Sequence, residues 1–144
     1  MSIRLKMDGF SDLLNEIKLA EGNVEKSVMK CQTKSATILE DNLKREANKS
    51  NVPSRLTNSM QPATVKNENG IITAEVGWKK GAYNPKNLSD GYKIVFLNYG
   101  TPRRKKHGKI EARGFIQRAK KKAKKPIQTQ QEQTLKDILK GLKK

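Results

Sequence analysis

The chain has 144 residues, a formal net charge of +17 and a single cysteine, Cys31. Hydrophobic residues make up 34% and aromatic residues 5% of it, enough for one modest core whose burial is expected to be completed by contacts with other subunits. An internal disulfide is excluded, and no apolar run is long enough for a signal peptide or a membrane span, which points to one domain, residues 1–144, in a reducing cytosol or an assembly built there.

From Phe10 onward, Leu13, Leu14, Ile17, Ala20, Val24, Val28, Cys31, Ile38, Leu39, Leu43 and Ala47 recur at intervals of mostly three and four, on one face of a helix. A helical segment is therefore predicted over residues 11–49. Ser11 is its N-cap, Asp12 complements the macrodipole in the first turn, and Gly22-Asn23 is a point where the segment can divide into a short and a long helix. Pro53 stops it, because the residue before a proline is pushed out of the α region. Residues 50–62 then read as a connector.

Residues 63–99 read as a small antiparallel sheet, a hairpin plus a third strand. Asn69-Gly70 supplies the positive φ values of a tight hairpin turn, and Ile72, Ala74, Val76 and Trp78 alternate with Thr73, Glu75 and Gly77. Trp78 is a core anchor in this pattern. Residues 79–91, with Gly81, Asn84, Pro85, Asn87 and Asp90, read as a long exposed loop. The run YKIVFLNY over residues 92–99 reads as the third strand, terminated by Gly100 and Pro102.

Residues 100–111 form a basic loop, and residues 112–143 a C-terminal helical segment. In it Phe115, Ile116, Ala119, Ala123 and Ile127 keep helical spacing, followed by Leu135, Ile138, Leu139 and Leu142. Pro126 predicts a kink or a break there. The later stripe needs a partner, either the N-terminal helix or a neighbouring chain. The predicted class is α+β: a long N-terminal helix, a small sheet and a kinked or broken C-terminal helix.

Between residues 103 and 125 there are twelve lysines or arginines against one acid, Glu111, a local excess of +11, whereas residues 1–102 carry only +4. The plain reading of such a run is a solvated loop and a polar helix face. Two features weigh against it. Arg103, Arg104, Lys105, Lys106 and, a little further on, Lys109 follow a constrained Gly-Thr-Pro turn, while Lys120, Lys121, Lys122, Lys124 and Lys125 crowd one short helical stretch where mutual repulsion costs stability. A polyanionic partner would offset that cost. Apart from Phe115, the aromatic residues lie outside the basic block, so base stacking is poorly provided for, and phosphate attraction without base readout is what the residues support.

Catalytic chemistry is not provided for. The sequence has no glycine-rich phosphate loop, no metal-spaced cluster and no nucleophile-base pair, and its one imidazole, His107, sits in a run of cations as a solvated loop residue. Cys31 falls on the apolar stripe and reads as a small buried hydrophobe. No enzyme, cofactor or metal is expected.

The order of parts carries a resemblance. Pro53 with Leu56 and Ser59 in a connector, a hairpin, Tyr99-Gly100-Thr101, a charged loop, and then Ala112-Arg113-Gly114-Phe115-Ile116-Gln117-Arg118-Ala119 resemble the small tail-completion, or head-tail joining, neck proteins of long-tailed bacteriophages. The resemblance spans residues 10–142. It departs from the family at Ser54-Arg55, where Thr-Gly is usual, and at Asn98, where an acid is usual.

The resemblance implies a non-enzymatic virion protein, assembled in the host cytoplasm into a hexameric ring around the DNA channel. Its partners would be copies of itself, other neck and tail proteins (a stopper or adaptor, a tail terminator or tail tube) and DNA in the lumen, with no membrane. Tyr99, Gly100 and Thr101 would form the structural turn and Phe115, Ile116 and Ala119 the helix anchor. The alternative is a sequence-independent nucleic-acid-binding protein. A cationic ribonuclease would need a general base in a structured setting, which the lone His107 lacks.

Overall fold

The computed structural model describes residues 2–7, 21–79, 81, 84, 86–104 and 108–142. Its first element is a strand, β1 (Ser2–Met7), in which Ile3, Leu5 and Met7 alternate with Ser2, Arg4 and Lys6. Helix α1 (Glu21–Lys49) follows, with Gly22-Asn23 inside its first turn; Ser11 and residues 11–20 of the predicted helical segment lie outside the described residues. Val24, Val28, Cys31, Leu39, Leu43 and Ala47 are buried along one stripe, as their spacing predicts. The same stripe also buries Gln32, Ser35 and Glu46.

Asn51 adopts φ 56° beyond the end of α1. The Val52 amide donates to the Ala47 carbonyl (3.0 Å) and the Asn51 amide to the Asn48 carbonyl (3.2 Å), the paired bonds by which a left-handed residue closes a helix. Residues 50–62 are not a plain connector. They contain a short helix, α2 (Ser54–Asn58), and the start of β2 (Gln61–Glu68), because the Pro53 carbonyl accepts the Leu56 and Thr57 amides, opening a helical turn, and Leu56 is buried.

Strand β2 turns through Asn69 (φ 55°) and Gly70 (φ 82°) into β3 (Ile71–Gly77), the hairpin that Asn-Gly predicts. β3 is central in the order β1-β3-β2, all antiparallel. Ile72, Ala74 and Val76 are buried on one face. On the other, Ser2 Oγ donates to Glu75 Oε1 (2.6 Å) and Arg4 sits 3.7 Å from Glu75 Oε2; the Ser2 hydroxyl, then Arg4 and Lys66, hold the Glu75 carboxyl below its usual range against partial burial. Trp78 is buried, and its indole Nε1 donates to the Leu56 carbonyl (2.7 Å), tying α2 to the end of the sheet.

The predicted third strand over residues 92–99 is instead a helix, α3 (Asp90–Tyr99). A short apolar run does not distinguish strand from helix, and here the buried residues Gly91, Ile94 and Asn98 recur at helical spacing. Asp90 occupies the first turn, where a negative charge is favoured. The sheet takes its third strand from β1. The predicted loop over residues 79–91 therefore ends at Ser89.

The basic stretch over residues 100–111 contains a second hairpin, β4 (Thr101–Arg104) paired with β5 (Gly108–Ile110). Helix α4 (Phe115–Leu142) then runs as one element through Pro126. It is not broken into two. Pro126 is exposed, so the turn that lacks its amide opens to water.

α4 lies antiparallel along α1, with Glu46 beside Arg118 and Lys122, Cys31 beside Gln130, and Val24 and Val28 in one cluster with Ile138. One main core joins Leu39, Leu43 and Ala47 to Phe115, Ile116, Ala119, Ala123 and Ile127, with Ala74, Val76 and Trp78 from the sheet side and Ile94 from α3. Alanines along the seam let the helices approach closely. The stripe at the end of α4 divides: Ile138 is buried, while Leu135 and Leu139 are exposed. No described helix is long and apolar enough to cross a membrane.

Phe115 is 0% exposed at the point where α4 enters the core. Phe115→Ala is expected to cost about 3–5 kcal/mol through the lost burial and the cavity left behind, read as a lower denaturant midpoint at unchanged slope.

Candidate polyanion-binding surface

The first half of α4 carries two unlike basic sets. Arg118 and Lys122, one turn apart, face Glu46 of α1, whose side chain is 3% exposed. Arg118 Nε donates to Glu46 Oε2 at 3.2 Å, Lys122 Nζ donates to Oε1, and Lys49 Nζ lies 3.9 Å from Oε1. The bond from Lys122 lowers the Glu46 pKa most; burial pushes it up, and Arg118 and Lys49 lower it again, leaving it below the usual glutamate range. Arg118 also donates to Ser50 Oγ and to the Arg113 carbonyl (2.6 Å).

Lys120, Lys121, Lys124 and Lys125 form the second set. All four are exposed, and among the described residues no carboxylate lies within ion-pair distance of them. Lys120 and Lys124, and Lys121 and Lys125, are spaced i, i+4, where like charges repel. The five lysines that the sequence groups together are thus divided by the fold. Lys122 is committed to Glu46, and four remain for an anion.

The hairpin places the other predicted contacts. Arg103 and Arg104 lie on β4, with side chains outside the described residues, as are Lys105, Lys106 and His107. Lys109 on β5 is exposed, and its Nζ lies 3.0 Å from Glu111 Oε1. Nothing described brings the hairpin lysine and the α4 lysines into one cluster.

What the structure does bring together is the base of the hairpin. Tyr99 ends α3 and is half exposed; Gly100 follows at φ 77°. A Cβ on Gly100 would lie 2.7 Å from the Ile110 carbonyl oxygen and 2.9 Å from the Ala112 nitrogen, so no side chain fits. The Ile110 amide donates to Thr101 Oγ1 (3.2 Å). Asn98, buried beneath this turn, accepts the Ile116 amide on its Oδ1 (2.9 Å), while its carbonyl accepts the Gly114 amide (3.0 Å) and the Leu97 carbonyl accepts the Arg113 amide (3.1 Å). An acceptor side chain here satisfies an amide at the start of α4 that the helix itself leaves unpaired. Arg113 reaches the end of α1, its Nη1 donating to the Ser50 (3.1 Å) and Asn51 (2.9 Å) carbonyls. Phe115, Ile116 and Ala119 are buried directly after it.

Glu46, Asn98 and Arg113 have roles that spacing alone does not reveal. Glu46 carried a signal: an acid between Leu43 and Ala47 on an apolar stripe needs a cationic partner. Asn98 sits within an apolar run, and Arg113 within a basic block that masks it.

Comparison with protein-family models, with curated proteins and with solved structures finds no match for this chain.

Because the Glu46 pKa is depressed in the folded state, the stabilisation it brings is present above its unfolded value, about 4.3, and is lost as pH falls through the lower folded value. Glu46→Gln is expected to lower stability at neutral pH and to flatten the stability profile below about pH 4.3. Denaturant midpoints of both proteins across pH 2–7 check this.

Proposed function

We propose that this chain is a structural, non-enzymatic subunit of a bacteriophage head-tail interface, assembling as a ring around the DNA channel. The observation that carries the reading is the joint at the base of the basic hairpin. The two stretches on which the resemblance rests, Tyr99-Gly100-Thr101 and residues 112–119, meet there in space, linked by the Asn98 and Gly100 contacts. Sequence features that recur because one joint needs them are better grounds for kinship than a charge run, which any anion-binding protein acquires. Asn98 offers the same acceptor chemistry at this place as the acid usual in the family. A ring subunit also needs a projecting element braced against its core, and the hairpin is held at both ends, by α3 and by α4.

The second reading, sequence-independent nucleic-acid binding, is favoured by one observation: Lys120, Lys121, Lys124 and Lys125 are exposed without described acid partners. The two readings are compatible if these lysines face DNA in the channel.

Two expectations follow. Gly100→Val forces a side chain into the Ile110 and Ala112 backbone and strains a positive φ; it should displace the hairpin while the α1–α4 core remains, so that helix content is kept and complete particles are not formed. Normal infectious yield from this variant would refute the role given to the joint.

The second expectation concerns the four exposed lysines. Binding to random duplex DNA should weaken with salt at a log-log slope of about −0.9 per phosphate contacted. Changing Lys120, Lys121, Lys124 and Lys125 to glutamine should reduce that slope by up to about four such contacts, whereas Lys122→Gln should chiefly lower stability. A salt titration of the three proteins, with particle completion assayed alongside, decides between a DNA-facing surface and a solvated one.

A further inference from the structure

One side of the α1–α4 seam faces the sheet, and the other is an open groove. Gln32 points to the sheet, where it donates to the Leu5 and Ile72 carbonyls. Lys30 and Lys34 stand two residues to either side of it, about 200° round the helix, and line a cleft of about 400 Å³ with Ser27 from α1 and Thr134 and Asp137 from α4. A second cleft holds Lys125, Thr129 and Gln133, and Gln130 lines both. Arg118, Lys122, Lys125, Thr129 and Gln133, at intervals of three and four, lie on one side of α4, so the groove continues to the Glu46 cluster. There Lys49, Arg118 and Lys122 meet one carboxylate, and the excess is positive. Lys30 and Lys34 are exposed, and among the described residues no carboxylate lies within ion-pair distance of them. Asp137 is the acid in the first cleft, its Oδ1 accepting from Gln133 Nε2 (2.9 Å), while Asp41 and Glu132 are exposed and line neither cleft.

We infer that this groove seats the phosphate backbone of a nucleic-acid duplex, with Lys30 and Lys34 of α1 as direct phosphate contacts. Charge and shape select that occupant. Cations on both walls of a concave surface focus the potential into it, and the floor beneath them, Val24, Cys31 and Ile138, is buried and of low dielectric. What a partner meets is polar. An acidic amphipathic helix would bring an apolar side that finds nothing accessible to pack on, whereas a sugar-phosphate strand needs only charge and hydrogen-bond donors such as the Ser27 and Thr134 hydroxyls. From Lys30 to Lys49 the groove runs about 28 Å at 1.5 Å per residue, the length of about eight phosphates at 3.4 Å each along one strand. This seat rests on the nucleic-acid reading and adds α1 to a surface so far confined to α4 and the hairpin.

Titration of the full chain with random duplex DNA across a range of salt tests the seat, with helix content followed in every variant. Lys30→Gln with Lys34→Gln should weaken binding at least about tenfold at 0.1 M salt and make the log-log slope shallower by about 1.8, two contacts at 0.9 each. Lys66→Gln with Lys86→Gln removes the same charge from exposed positions outside the groove and should leave the slope unchanged. Asp137→Asn, which takes away the acid in the cleft, should tighten binding by about two- to fivefold, the weight of one exposed charge pair. A wild-type slope in the Lys30, Lys34 variant, or an equal loss in the Lys66, Lys86 control, would overturn the seat. Polyglutamate binding that the Lys30, Lys34 variant loses while it keeps DNA would assign the groove to an acidic protein and overturn it too. In each of those cases DNA binding by the wild type, reduced by changing the four α4 lysines, leaves the nucleic-acid reading standing. A wild type with no salt-dependent DNA binding overturns both.

Discussion

The antiparallel seam between α1 and α4 is the constraint on which the remaining structure depends. Neither helix is expected to be stable alone with its apolar stripe in water, and among the described residues the sheet packs its buried face against this helical layer. Alanines at positions 36, 47, 119 and 123, all buried, allow the close approach, and Glu46 fixes the register at one end by receiving Arg118 and Lys122. A one-turn slip would leave that buried carboxylate with only one of the two cations α4 supplies, a loss costlier than that of a surface pair. At the sheet side Gln32 donates to the Leu5 and Ile72 carbonyls (3.0 and 3.3 Å), so α1 is pegged to β1 and β3 as well as to α4.

The joint at Asn98 is organised by a different kind of force. Burial positions Phe115 and Ile116, but what orients the start of α4 is a set of directional bonds: the Leu97 carbonyl, the Asn98 carbonyl and the Asn98 side chain each take one amide of the incoming chain. Arg113 adds the carbonyls at the end of α1. Three helix ends are thereby held in one place, with the hairpin emerging from the middle. A polar joint of this sort specifies geometry more sharply than an apolar one, because each acceptor has a direction.

How much was legible in the sequence depended on whether local preference and tertiary context agreed. At Asn69-Gly70 they did, since only positive-φ residues make that turn. Along α1 and α4 the stripe was readable because each helix faces a single layer. Over residues 92–99 they did not: eight mostly apolar residues suit a buried strand or a short helix, and only the spacing of Gly91, Ile94 and Asn98 separates the two. The third strand was missed: Ile3, Leu5 and Met7 alternate over only six residues, and they lie far in sequence from the β3 strand they pair with. For the candidate surface, the charges were countable and their division was not, because sorting Lys122 from its neighbours requires knowing that Glu46 lies opposite, 76 residues away.

That separation governs the order in which the subunit can fold as it is synthesised. β1 pairs with β3 across about seventy residues, from Ser2 with Gly77 to Met7 with Ile72, and α1 finds its main cover only in residues 115–127. Such non-local closure is slow relative to helix formation. Until α4 leaves the ribosome, Leu39, Leu43, Val76 and Trp78 lack the layer that shields them, so the nascent chain passes through a long interval with its future core open to water. Closure of the core therefore waits on residues 115–127, the last of its layers in chain order.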